Sequence, residues 1–350
     1  MENINDSISM LQMFQHPTFF VKNGIITGVN QYAENMDILQ GMQISEFIPE
    51  YSDAYETFTD GCLSMTLCIN GANCIAVVIR MEDCDIFHLR EASADSYLNS
   101  VDLIFQQMRQ PLGEAITSME ECAEKTRQKS IQYSIHNMYK LLRFVNNFSA
   151  ASQCAVGRKN GMVVCNMTSI LSELFQHIEK LIAETNVDFH YALPSEDIFA
   201  PIDEEPLTTA ILNMISNAIK GADRSGKVHV EVTYADNKLN ICVTNDIFDK
   251  DIKTEGIFFR HMRGSQVEDG RFGSGFGVML IQLVAAAHNG SLLLTRLGKK
   301  QLRFTLTIST KVMTGDILRS QLTGLTVTQG IDNRLVGLSD ALSSTTFPKK

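Results

Sequence analysis

The stretch ILNMISNAIKGA, residues 211–222, sets Asn213, Asn217 and Lys220 at i, i+4 and i+7. At 3.6 residues per turn these three project from one helical face. Ile211, Leu212, Met214, Ile215, Ala218 and Ile219 fill the other positions and predict a face turned to a core. Amide oxygens are hard, neutral ligands suited to Mg2+, which takes few protein ligands and completes its shell with phosphate oxygens and water. A lysine one turn further on can meet those phosphates as a point charge. A solvated helix face could carry the same residues, so this stripe alone leaves both readings open.

A second stretch, GRFGSGFGVMLIQLVAAAH, places Gly273, Gly275 and Gly277 alternately at the start of a helix. Glycine lets backbone N–H groups approach an anion closely, and a helix N-terminus favours negative charge. The dinucleotide fingerprint is excluded, because its third glycine would fall on Val278. A Walker A loop is excluded because no G-K-[ST] follows. Coming in order after the Asn/Lys helix and an intervening β-hairpin, the glycine run predicts an anion pocket.

The elements that must position these residues form an α/β region. The pattern predicts a short strand at 162–166, a helix over 168–185, a strand at 187–192, and the Asn/Lys helix over 205–221. Strands at 228–234 and 238–244 follow as a hairpin, then a helix over 278–288 closed by Asn289-Gly290, then strands at 291–297 and 301–309. Upstream, Val101, Ile104, Phe105, Met108, Leu112, Ala115, Ile116, Met119 and Cys122 trace a helix kinked at Pro111. Ile131, Ile135, Met138, Leu142, Val145 and Phe148 trace a second. Two such helices bury too little alone, so a homodimer through this helical hairpin, as a four-helix bundle, is expected. Residues 157–161 read as the linker out of it.

Near the N-terminus, strands at 19–21 and 25–29 flank Asn23-Gly24, and strands at 62–69 and 74–79 flank Asn70-Gly71. Residues 312–350 show no period and are taken as a tail of unknown role. The expected domains are therefore 1–97, 98–156, 157–311 and the tail, in an α+β multidomain chain.

Bulk properties narrow the function classes. A length of 350 residues asks for more than one core, and 44% hydrophobic with 20% charged residues is a globular composition. The net charge of −10 argues against general nucleic-acid binding. The eight cysteines show no C-x-x-C pair and predict buried, reduced thiols. No signal peptide opens the chain and no membrane span is seen, so a cytoplasmic protein is expected.

With these motifs in place, the chain resembles the sensor histidine kinases of two-component signalling. LNMISNAIKGA resembles their N box, GIFFRHMRG their F box, and GSGFGVMLIQLVAAAHNGSL their G2 box and following helix. The resemblance implies an α/β sandwich of the GHKL ATPase type that binds ATP and Mg2+ under a mobile lid. By position, Asn217 would coordinate the metal with Asn213 nearby, and Lys220 would approach the phosphates. Arg263, or alternatively Arg260, would lie in the lid, while Gly273, Gly275 and Gly277 would wrap the triphosphate. The helical hairpin resembles the dimerisation and histidine-phosphotransfer domain, and HPTFFVKNGIITGVNQYAENM resembles the opening of a PAS-like sensor domain. A response regulator or a kinase partner is implied.

Three departures qualify that expectation. The family's G1 box, D-x-G-x-G, is replaced by VTNDIFDKDI, which puts Asn245 (or Asp246 beside it) at the adenine-reading position. The H box, S-H-E-x-R-T-P-L, becomes FQQMRQPL: Arg109, Pro111 and Leu112 remain, but Gln106 stands for the phosphoacceptor histidine and Gln107 for the neighbouring acid. An amide is no nucleophile at neutral pH, so autophosphorylation there is not expected. His136 on the second helix reads as a surface residue of the bundle rather than a substitute. Thr209 stands one turn before Asn213, where several relatives carry an acid. The reading that results is a histidine-kinase-like signalling protein that binds Mg·ATP. The alternatives are an active kinase with another phosphoacceptor or a partner, and a structural protein with a vestigial site.

Overall fold

The computed structural model describes residues 14–49, 53–91, 128–155, 162–183, 185–222, 226–247, 257, 276–298, 300–311, 317–318, 327–328 and 331–344. The first helix of the expected hairpin, with Gln106, lies outside them, as do Arg260, Arg263, Gly273 and Gly275.

The N-terminal strands are β1 (Thr18–Lys22), β2 (Ile25–Val29), β3 (Cys62–Ile69), β4 (Ala72–Arg80) and β5 (Asp85–Glu91), with the short helix α1 (Gln31–Glu34) after β2. Asn23 and Gly24 both take positive φ, 52° and 76°, and Asn70 and Gly71 take 51° and 79°. These are the values a two-residue hairpin turn requires to follow the strand twist. The C-terminal region contributes β7 (Asp188–Ala192), β9 (Lys227–Ala235), β10 (Lys238–Asp246), β11 (Ser291–Leu297) and β12 (Gln301–Ser309).

Among the described residues the two sets form one ten-stranded sheet in the order β2-β1-β5-β4-β3-β11-β12-β10-β9-β7. The join is antiparallel, with Leu292, Leu293 and Leu294 opposite Ser64, Leu63 and Cys62. Reading the units as separate domains did not foresee this shared sheet. Its trace in the sequence is β4, buried continuously from Cys74 to Ile79, as in a strand covered on both faces. Cys74, Ala76 and Val78 face an N-terminal core with Phe19, Ile26 and Phe87. Val77 and Ile79 join Phe20, Cys62 and Ile86 in the main core.

That main core is built by helices laid on the sheet: α2 (Gln128–Ala155), α3 (Met167–Ile182), α4 (Glu204–Gly221), α5 (Phe276–Ala287) and α6 (Asn333–Leu338). A small sheet joins β6 (Val163–Asn166) to β8 (Phe199–Ile202) and to β13 (Ile317–Leu318). Asn166 caps α3 by accepting from the Ser169 amide at 3.1 Å.

Two sequence expectations change here. The predicted apolar stripe of α2 is split: Met138 and Val145 are about half exposed, at 50% and 48%. Ile135 and Phe148 pack partly against the main core. The buried side of α2 is polar, with Ser134, His136, Asn137, Arg143 and Asn147, plus Ala150 and Ala151. The reason is that α2 packs on α4, α5 and α6, where Arg143 and Asn147 find a hydrogen-bond partner in Asn213 of α4. His136 is accordingly buried, its Nε2 donating to the Ser339 carbonyl at 2.6 Å, and is not a surface residue. Within the expected tail, residues 331–344 are built into the fold, with Leu335, Val336, Leu338, Ala341 and Leu342 buried. Cys62 and Cys74 are buried and the other described cysteines half-buried.

Candidate functional site

Helix α4 starts after Asp203, carries Glu204 and Glu205 in its first turn and Lys220 in its last, and so suits the helix dipole. Its apolar residues Ile211, Leu212, Met214, Ile215, Ala218 and Ile219 are buried as the spacing predicts. Asn213 is buried too, at 1% exposure, which excludes a solvated face at that position. Its Oδ1 accepts from Arg143 Nη2 at 2.8 Å and from Asn147 Nδ2 at 3.2 Å. Its Nδ2 donates to Asn147 Oδ1 at 2.9 Å and to the Thr209 carbonyl at 2.8 Å. A buried amide with its hydrogen-bonding capacity engaged is fixed in orientation.

Asn217, one turn on, is half-buried, and its side chain makes no hydrogen bond among the described residues. Its oxygen is a hard donor beside the lysine, which suits one protein contact to a phosphate-carried Mg2+. No group of three or more His, Cys, Asp or Glu residues that could cage a metal occurs among the described residues. Lys220 Nζ lies 2.6 Å from Asp340 Oδ2, and Arg143 Nη1 lies 2.9 Å from the same oxygen. Burial alone would raise the Asp340 carboxyl, but Lys220 and Arg143 hold it well below the ordinary carboxylate range.

The motif segments meet around α4. A Cβ placed on Gly277, in the first turn of α5, would lie 3.0 Å from Asn213 Oδ1. A Cβ on Gly221, at the end of α4, would lie 2.7 Å from Asn245 Nδ2. Asn245 therefore sits at the close of α4, on the strand face of Leu239, Ile241 and Val243, and is itself buried. Its Nδ2 donates to the Asp246 carbonyl at 2.7 Å. The Asp246 carboxylate is committed elsewhere, accepting from the Lys227 amide at 3.0 Å and from Gln301 Nε2 at 3.0 Å. Ile257 of the GIFFRHMRG stretch packs against the main core.

His288 closes α5 onto the start of α4. Its Nδ1 donates to the Val284 carbonyl at 2.8 Å, and its Nε2 accepts the Asp203 amide at 3.1 Å. Burial lowers its pKa, which keeps the neutral tautomer both bonds require. A cavity of about 310 Å³ lies beside Arg143 and Asn147, between Glu173 of α3, Thr209 of α4 and Arg334 of α6.

The structure thus brings together Asn213, Asn217, Lys220, Asn245 and Gly277. Arg143, Asn147 and Asp340 were missed. An Arg and an Asn four residues apart on α2 were a signal available in the sequence; for Asp340 no local pattern existed.

Residues 202–312 match the family described as histidine kinase-, DNA gyrase B- and HSP90-like ATPase. The segment carries a domain of that family. Helix α4, strand β10 and helix α5 of this ATPase-family domain are the elements that meet at the site. Hybrid signal transduction histidine kinase D of Dictyostelium discoideum is 28% identical over 188 residues, 51% of this chain and 12% of its own length. Sensor histidine kinase WalK of Bacillus subtilis is 28% identical over 134 residues, 37% of this chain and 22% of its own. The chain spans only a minor part of the length of these relatives. Among solved structures, histidine kinase AdeS of Acinetobacter baumannii aligns with a TM-score of 0.45 at 13% identity, covering 59% of this chain and 98% of that one. No helix among the described residues is long and apolar enough to cross a membrane.

Proposed function

We propose that this chain is a histidine-kinase-like signal-transduction protein whose ATPase-family domain binds Mg·ATP without autophosphorylating at Gln106. The observation that carries the reading is the meeting of three motif segments at one helix, with Gly277 against Asn213 and Asn245 against Gly221. In this reading Asn217 donates its amide oxygen to Mg2+, Lys220 meets the phosphates, and the Asn245 oxygen reads adenine. The committed Asp246 carboxylate favours Asn245 over its neighbour. Gly273, Gly275 and Arg263 keep their expected roles at the triphosphate and in the lid. The order β2-β1-β5-β4-β3 of the N-terminal strands supports a PAS-like input unit. The half-exposed Met138 and Val145 support a homodimer through α2, for which a monomer in sedimentation would be the contrary result. A response regulator or a kinase partner would read the state of the domain.

Mg·ATP titration of the wild type and Asn217→Ala tests the site. Loss of a metal-ordering side chain should weaken affinity by about tenfold or more, with the Mg2+ dependence reduced in step. Wild-type protein that ignores millimolar Mg·ATP would sink the reading. Incubation with γ-labelled ATP separates the pseudokinase from an active kinase: acid-labile, base-stable label on this chain would show a phosphohistidine elsewhere. His136 is poorly placed for that role, since it is buried and bonded to Ser339.

A further inference from the structure

The segment after Ile331 is held against the residues assigned above to nucleotide phosphates. Helix α6 places Leu335, Val336 and Leu338 in buried positions, and Ala341 and Leu342 follow them into the main core. Gly337 lets α6 approach α4 closely: a Cβ there would lie 2.7 Å from Leu212 Cδ1 and 2.9 Å from its Cβ. Directly after this docked turn, the Ser339 carbonyl takes the His136 hydrogen bond at 2.6 Å. Asp340 then places one carboxylate oxygen between Lys220 at 2.6 Å and Arg143 at 2.9 Å.

Chemically this is an anion site filled from within the chain. An oxygen shared by an ammonium and a guanidinium is the arrangement a phosphate oxygen would adopt with the same two cations. The two cannot share Lys220 without crowding like charges into a part-buried space, where their repulsion is weakly screened. Asp340 is one-third exposed at its side chain and Lys220 16%. The contact is therefore shielded enough to be specific and open enough to be displaced.

We infer that residues 331–344 form an autoinhibitory cap in which Asp340 stands in for a nucleotide phosphate on Lys220 and Arg143, so that nucleotide and cap compete. The inference rests on the proposed nucleotide site and specifies its regulation. Linkage makes the competition reciprocal: whatever loosens the cap tightens nucleotide, and nucleotide loosens the cap by the same factor. Arg143 belongs to α2, so the cap also ties that helix to the ATPase-family domain through one carboxylate. A partner that draws α2 away removes half of the cap's anchor.

The experiment measures the affinity of the full chain for Mg2+ and a non-hydrolysable ATP analogue in wild type, Asp340→Asn and Gly337→Val. Hydrogen exchange across 331–344 is followed with and without the analogue. Asp340→Asn removes the competing charge, and Gly337→Val levers α6 off Leu212 without touching any charged group. Both should bind about 5- to 100-fold tighter, the ordinary range of such coupling, and the analogue should raise exchange in the wild-type cap. Equal affinity in all three proteins would overturn the cap while leaving the nucleotide site standing. Binding by none of them would overturn both. Should Asp340→Asn not fold, Gly337→Val and the wild-type exchange decide the matter. A cap equally protected with and without the analogue overturns the inference.

Discussion

At the residue scale, the polar groups that matter most are defined by their partners rather than by their type. His88 shows this in the N-terminal core. It is 4% exposed, its Nδ1 lies 2.9 Å from Thr18 Oγ1, and burial, helped by His16, pushes its pKa down to about 4. A base held neutral in the folded state and titrating near 6.5 when unfolded contributes its full stability above about pH 6.5. That stability is lost as pH falls from 6.5 towards 4, because the unfolded chain binds the extra proton. The gap corresponds to roughly 3 kcal/mol at most. Chemical denaturation between pH 7.5 and 5 should show the wild type weakening steadily and His88→Gln changing less; equal slopes would remove His88 from the account. Asn213 and Lys220 teach the same lesson. Their placement on one face was legible from i, i+4 and i+7 spacing, whereas Arg143, Asn147 and Asp340 come from distant segments that no local window joins to them.

At the element scale, local chemistry was readable wherever backbone geometry is imposed locally. The turns at Asn23-Gly24 and Asn70-Gly71 were read in place because positive φ at both positions suits few residues. Strand β8, by contrast, is not among the expected strands: Pro201 falls within it, and the strand lies at an edge of its small sheet, where the missing donor is tolerated. Helix α6 spans six residues, too few for a period to declare itself. The end of α5 was located correctly but for an incomplete reason. The left-handed residue is Asn289, φ 50°, while Gly290 is demanded by crowding: a Cβ there would stand 1.8 Å from the Thr307 carbonyl oxygen of β12. Gly290→Ala should therefore cost about 2–3 kcal/mol or more by overpacking. Asn289→Gly should stay within about 0.5 kcal/mol, since glycine adopts that φ freely. Urea midpoints of the two variants decide it, and a tolerated Gly290→Ala would contradict the geometry.

At the scale of the whole molecule, the question is whether the N-terminal strands and the ATPase-family domain melt as one body. Two attachments compete in importance. The first is the β3–β11 ladder, only three residue pairs long, where Gly61 at φ 90° has no room for a side chain: a Cβ would lie 2.2 Å from the Leu294 carbonyl oxygen. The second is the face of β3 and β4 turned to the main core, where Cys62, Val77 and Ile79 are buried and α5 packs against both strands. A net backbone hydrogen bond is worth about 1 kcal/mol, and a fully buried valine or isoleucine about 1.5–3 kcal/mol. The packed face, extended by Phe20 and Ile86, should outweigh the ladder. Gly61→Ala should accordingly lower the melting temperature yet keep a single calorimetric transition, because the face stays docked when the edge is forced apart. Val77→Asp places a charge inside that face, and burying an unpaired carboxylate costs several kcal/mol, so its thermogram should separate into two transitions. If Gly61→Ala splits the melt and Val77→Asp does not, the ladder holds the halves together. Any signal entering the N-terminal strands would then reach β10 and Asn245 through backbone hydrogen bonds, via β11 and β12, rather than through α5.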